Sequence, residues 1–235
     1  MHALNVGLLL VAAAAYALGA LRMWRRAGVG RGLSFVNVGC FLAGLGVLLF
    51  ALLSPLHHLA AERLWAHMVQ HELLMVLAAP LLIAGRPLVA VPVRVPKWLT
   101  GPVLAWMLHA AAIWLWHVPP FFAAAAENEA LHFAQHASFL FTALLFWWSA
   151  GVLSLFTTML HTGALGALMA LSARSWYPGY ALEDQQLAGL VMWIPAGLAY
   201  PAAALYLLSR TLRRQSTSPG ATPPAYLCAS DTRSL

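Results

Sequence analysis

Charge is what this chain has least of. Lys, Arg, Asp and Glu together make up 9% of its 235 residues, where a soluble domain carries about a quarter. With 62% of the chain apolar, that scarcity excludes a water-soluble globule, because too little polar surface is left to face water. The chain must meet lipid over most of its length. Cysteine is also scarce. Cys40 lies in an apolar run and Cys228 near the C-terminus, which excludes a disulfide framework and a CxxC redox or metal motif. No P-loop, GxSxG or dinucleotide fingerprint is present. The zinc-protease pattern HExxH fails because Met75 stands in the fifth position after His71 and Glu72, and the inverted form fails because Gln70 stands where Glu is required. An enzyme is therefore not expected. There is no internal repeat, and no segment outside the apolar runs is large enough to hold a core.

What is present is a series of seven apolar runs, at about 3–21, 33–53, 64–85, 101–119, 131–151, 156–175 and 185–208. Each is near the ~20 residues that a helix needs to cross a bilayer core. Their apolarity is continuous rather than alternating, which predicts helices and not a barrel. Pro80, Pro195 and Pro201 fall inside runs and are expected to kink them. The expected fold is an all-α membrane protein of seven transmembrane helices, residues 1–214, followed by a disordered cytoplasmic tail, 215–235, rich in Pro, Ser and Thr.

Basic residues orient the model. The first run has no positive residue ahead of it and is followed by Arg22, Arg25, Arg26 and Arg31, as in a retained helix with its N-terminus outside rather than a cleaved signal. Seven spans from an outside start put every one of the 13 basic residues except Arg63 and Arg174 on the inner side, in accord with the positive-inside rule. The formal charge of +6 is thereby explained by topology, and no nucleic-acid partner is expected.

The same orientation places all the histidines except His109 and His161 toward the outer face. His67 and His71 lie in "HMVQHELLM", His132 and His136 in "LHFAQHASF", and His117 in "WLWHVPP". Residues four apart share a helix face, so each pair forms a two-toothed edge, and Met75 continues the first edge one turn deeper. Asp184 opens the last span at the same level. Glu72 points about 100° away from His71. Polar side chains in hydrocarbon are costly, and two imidazole pairs at one depth on different helices suit a buried transition-metal or haem site. A thioether beside imidazole leans toward Cu(I). The candidate ligands are His67, His71, His132, His136, His117, Asp184 and Met75. Simpler roles stand beside these: Met75 as a gap filler, His117 in an interfacial aromatic belt, Asp184 as a helix cap, and His57 and His58 as solvated loop residues. His109 and His161, each alone, are read as hydrogen-bonded within the bundle.

The segments "SPLHHLAAERLWAHMVQHELLMVLAAPLLIAGRP", "WLWHVPPFF", "LHFAQHASFLFTALLFWW" and "LEDQQLAGLVMWIP" together resemble the CtaG family of cytochrome c oxidase assembly factors, in its multi-span, caa-type variety. The resemblance runs from about Ser54 to Pro195. It implies a multi-pass protein of the bacterial plasma membrane that matures a haem-copper oxidase, with His67, His71, His117, His132, His136 and Asp184 as the matching positions. It also implies cytochrome c oxidase subunits, the lipid bilayer and a copper donor protein as partners, and copper, rather than haem or zinc, as the ion handled. Both oxidase copper centres lie toward the outer side, as the histidines do. The alternatives are a bis-histidine haem-binding electron carrier, a metal-dependent membrane enzyme using Glu72 or Asp184 as base, and a scaffold that holds oxidase subunits without a metal.

Overall fold

The structure is a computed structural model that describes residues 2–216. Of the described residues 83% are helical, and none lies in a strand. The first two helices are α1 (His2–Ala27) and α2 (Phe35–Leu53). The link between them turns on Gly28, Gly30 and Gly32, all with positive φ, a region that glycine enters without steric cost. Ser34 and Asn37 then form a reciprocal capping box that starts α2. Ser54 ends α2 and caps α3 (Pro55–Glu62), where proline at the first helical position loses no hydrogen bond.

The next stretch is one continuous rod in three parts: α4 (Leu64–Glu72), a π-helical segment (Leu73–Ala78), and α5 (Ala79–Ala84). The wide segment ends just before Pro80. Proline lacks an N–H and clashes with the carbonyl one turn back, and a π-helical turn is one way for a helix to absorb that conflict. The carbonyl of Met75 accepts a 2.8 Å hydrogen bond from the Trp147 indole N–H, as membrane helices require of backbone groups freed from the ladder. The short α6 (Pro87–Ala90) follows, then α7 (Pro102–His117), α8 (Pro119–Glu127), α9 (Glu129–Ser149), α10 (Val152–Leu171) and α11 (Leu182–Ser216). Pro195 and Pro201 lie within α11, which continues through both. Since α11 runs to Ser216, helix covers the first two residues of the segment expected to be disordered; the remainder, 217–235, lies outside the described residues.

Five helical stretches are long and apolar enough to cross a membrane: Ala3–Ala27, Phe35–Leu53, Leu64–Ala90, Val152–Leu171 and Leu182–Gln215. The other two expected spans correspond to α7, which has 16 residues, and to α9, whose 21 residues include His132, Gln135, His136, Ser138 and Thr142. Most of each of the five stretches faces outward, with Leu10, Val11, Leu153, Leu171 and Leu198 among the exposed apolar side chains. Such surface is compatible with lipid and not with water. These helices make the chain a membrane protein.

Two of the three interior clusters among the described residues adjoin the central rod. One joins Tyr16, Phe41, Leu45, Leu74 and Leu82 from α1, α2 and the central rod. The other joins Leu64, Met68, Ile113, Phe122, Phe139 and Met192 from α4, α7, α8, α9 and α11. α10 and α11 approach at Gly166 and Gly189: a Cβ on Gly166 would stand 2.8 Å from the Gly189 carbonyl oxygen. Small residues at a crossing are how membrane helices gain close packing without a hydrophobic driving force. The central rod thus runs between both clusters, and the histidines of α4 face the second.

Candidate metal centre

α4 begins at Leu64, and its register is set from outside the element. Arg63 provides no side-chain cap. Instead Asp184, near the start of α11, accepts from the Leu64 N–H at 2.9 Å and from the Trp65 N–H at 3.1 Å, one bond to each carboxylate oxygen. A carboxylate at a helix N-terminus meets both unpaired N–H groups and the positive end of the dipole. This pins the turn that carries His67 and His71. Asp184 was expected as a ligand or as a cap of its own helix, and the structure places it outside the histidine cluster as a cap of a different helix. The glutamines after it hold the neighbouring loop. The Gln185 side chain bonds the Trp176 N–H and the Met169 and Arg174 carbonyls, and Gln186 bonds the Ser172 carbonyl. From that loop Tyr177 donates to the His117 carbonyl at 2.8 Å. Burial pushes its phenol pKa upward, so it stays protonated as the donor.

α4 and α9 bring their histidine edges together. One ring nitrogen from each of His67, His71 and His136 lies within 4.8 Å of the other two, and all three residues are buried. The His67 and His71 ring centroids are 4.4 Å apart, His71 and His136 5.3 Å, and His67 and His136 5.8 Å. His132 completes the second edge, 4.3 Å from His136 and 5.2 Å from His67. The cluster is walled by Phe122 against His67 at 5.1 Å and by Phe139 against His71 at 4.6 Å. None of these imidazoles is fully satisfied by the protein: Nε2 of His67, His132 and His136, and both ring nitrogens of His71, are buried without a hydrogen-bond partner. Buried polar atoms are nearly always paired, and leaving one unpaired costs about 1–3 kcal/mol. A shared ion removes that cost for several rings at once, so the donor set fits a metal. Three nitrogens ligating one ion at about 2.0 Å each stand about 3.5 Å apart at most when evenly spread, so ligation by all three requires a closure of up to about 1.3 Å from the 4.8 Å limit.

His117 joins from α7. Its Nδ1 lies 2.6 Å from the Ile113 carbonyl oxygen. A carbonyl only accepts, so Nδ1 carries the proton and Nε2 keeps its lone pair. That lone pair faces the Met68 sulfur at 3.4 Å, and the ring stands 5.7 Å from His71. In the neutral ring two electron-pair donors confront each other, an arrangement a soft cation would stabilise. Met68 was not anticipated. Its signal was the i, i+3 spacing to His71, which shares a face as well as i, i+4 does. Met75, the thioether expected to extend the edge, packs in the apolar interior with Ala79, Met192 and their neighbours.

Other polar groups fall elsewhere. Glu72 is buried, with Oε2 unpartnered, and is not part of the close group of ligand atoms. His109 donates through Nδ1 to Thr142 Oγ1 at 3.1 Å, because the Thr142 hydroxyl proton is already directed to backbone carbonyls of α9. It stacks on Phe146, as expected for a histidine bonded within the bundle. His161 lies near Trp106, but both of its ring nitrogens are buried without a partner, so the expected hydrogen bond within the bundle is not formed.

The sequence model of the cytochrome c oxidase caa3 assembly factors, Caa3_CtaG, matches residues 14–214. The chain belongs to that family. Its work is therefore cytochrome c oxidase assembly at a membrane. The matched residues take in every member of the histidine cluster, as well as Met68 and Asp184. Neither a curated protein nor a solved structure matches the chain.

Proposed function

We propose that this assembly factor binds Cu(I) at the histidine cluster and delivers it to the apo-oxidase in the bacterial plasma membrane. The observation that carries the reading is the convergence of ring nitrogens from three buried histidines of α4 and α9 within 4.8 Å of one another, each ring with at least one unpartnered nitrogen. In this reading His67, His71 and His136 hold the ion. His117 and Met68 stand beside them as further soft donors, His132 lies at the outer edge, and Asp184 positions α4. Neutral imidazole and thioether bind Cu(I) without a proton having to leave. The protein's part is to hold these donors in a dry pocket whose coordination remains exchangeable, as release to a client requires.

The packing supports an ion over a haem. His67 and His71 are pressed against Phe122 and Phe139, which leaves no flat slot for a macrocycle between axial rings. The full topology completes the proposal: α7 and α9 span the membrane with the five longer helices, the N-terminus lies outside, and the cluster sits near the outer face. The partners are the oxidase subunits that receive copper and a donor protein that supplies it.

The test is elemental analysis and absorption spectroscopy on detergent-purified protein. Wild type is expected to hold about one copper, and His71→Ala and His136→Ala each to lose most of it, because the three-nitrogen set is broken. A Soret band would instead establish haem binding, and a metal-free wild type after copper loading would sink the reading.

A further inference from the structure

The buried trio has little direct exposure, and a line of imidazoles leads away from it. His136 is 7% and His71 0% exposed, whereas His132 and His57 are half-buried and His58 is exposed. Consecutive rings along this line are close: His136 to His132, 4.3 Å; His132 to His57, 5.9 Å and nearly parallel at 16°; His57 to His58, 6.1 Å. A cavity of about 220 Å³ is lined by His57, His132 and His136 together, with Asn5 and Glu129 among its polar lining and leucines of α1 and α2 as its wall. Water occupies about 30 Å³ per molecule, so the cavity admits an ion with several waters.

His57 is held in place from the metal-bearing helix. Gln70, fully buried between His67 and His71, donates one amide hydrogen to the Ala51 carbonyl at 2.5 Å and the other to His57 Nδ1 at 3.3 Å. The Ala51 carbonyl only accepts, which fixes the amide orientation. The lone pair that His57 would offer through Nδ1 is thus already engaged by a long hydrogen bond. An ion must displace it, and it re-forms when the ion leaves. Such a ligand suits passage rather than storage.

Resting on the reading of the cluster as a Cu(I) site, we propose that His57 and His132 form its port. They act as successive transient ligands that carry Cu(I) between the outer surface and the trio, and Gln70 positions His57. Each step makes one Cu–N bond and breaks another. Copper enters and leaves as Cu(I), no electron is transferred, and each neutral ring retains its one proton.

The experiment follows Cu(I) leaving the loaded, full-length protein in detergent, with excess of a coloured Cu(I) chelator as acceptor. For His57→Ala the copper bound at equilibrium is expected to match wild type, while release slows by about tenfold or more. His57→Phe keeps an aromatic ring over His132 without a lone pair and is expected to slow release equally. If His57 merely plugged the cavity, Ala would accelerate release and Phe would leave it unchanged; either result overturns the port. Loss of bound copper in both variants would make His57 a resident ligand and overturn it as well. A wild type that takes up no copper overturns the cluster as a copper site, and the port falls with it. A wild type that binds copper, with release rates the same in all three proteins, overturns the port alone.

Discussion

At the scale of the residue, the decisive pair is Met68 and Met75. Both are buried, both lie near His71 in sequence, and only Met68 places its sulfur against a ligand-capable nitrogen, 3.4 Å from His117 Nε2. Met68→Leu keeps the volume and removes the sulfur, so a small cost in stability is expected. Its Cu(I) affinity is expected to fall by roughly tenfold, the lower end of what a supporting group contributes at a metal site. Met75→Leu is expected to leave affinity unchanged. Competition against a Cu(I) chelator of known affinity measures both, and equal affinities in the two variants would remove Met68 from the site. The histidines themselves were legible in sequence because HxxxH spacing alone puts two rings on one helix edge. Met68 was not, because its relevance depends on His117, 49 residues away.

The element in control is α4, whose start is fixed by Asp184 across 120 residues of sequence. Each of its two hydrogen bonds links a charged acceptor to a backbone N–H in a buried place, and such bonds contribute about 1.5–3 kcal/mol. Asp184→Ala leaves both N–H groups unpaired and is expected to destabilise the fold by roughly 2–4 kcal/mol, about two such bonds at less than full additivity. Asp184→Asn retains one carbonyl acceptor and is expected to lose about half as much. Thermal or denaturant unfolding in detergent reads the difference. If Asp184 were a copper ligand instead, Asn would lose copper without losing stability. The sequence marked Asp184 as a cap or a ligand, since acidic residues favour helix starts, but it held no sign of which helix would be capped. The π-helical segment is a second case: Pro80 signalled a disturbance in the rod, but not that it would take the form of a wide turn.

For the whole molecule, the distribution of Arg and Lys and the outward-facing apolar surface of five long helices bear on one another. With seven spans and the N-terminus outside, a reporter that functions only in the cytoplasm is expected to be active when fused after Ser216 and inactive when fused before α1. Activity at both ends would require an even number of spans and would place the cluster differently across the bilayer. α7 and α9 are the spans that hydropathy alone undervalues. α7 is short, and α9 carries the polar residues of the cluster, which face inward and are shielded by neighbouring helices.

Composition and local spacing by themselves determined that the chain is helical, that it is immersed in lipid, and which histidines share a helix edge. Each of those properties depends on residues within a turn or two of one another. Only the tertiary structure decided which edges meet, that Met68 stands against His117, that Asp184 acts on α4, and that His57 reaches His132. Meeting across helices depends on how each rod is rotated about its axis, and that rotation is set by distant caps, close glycine crossings and one widened turn.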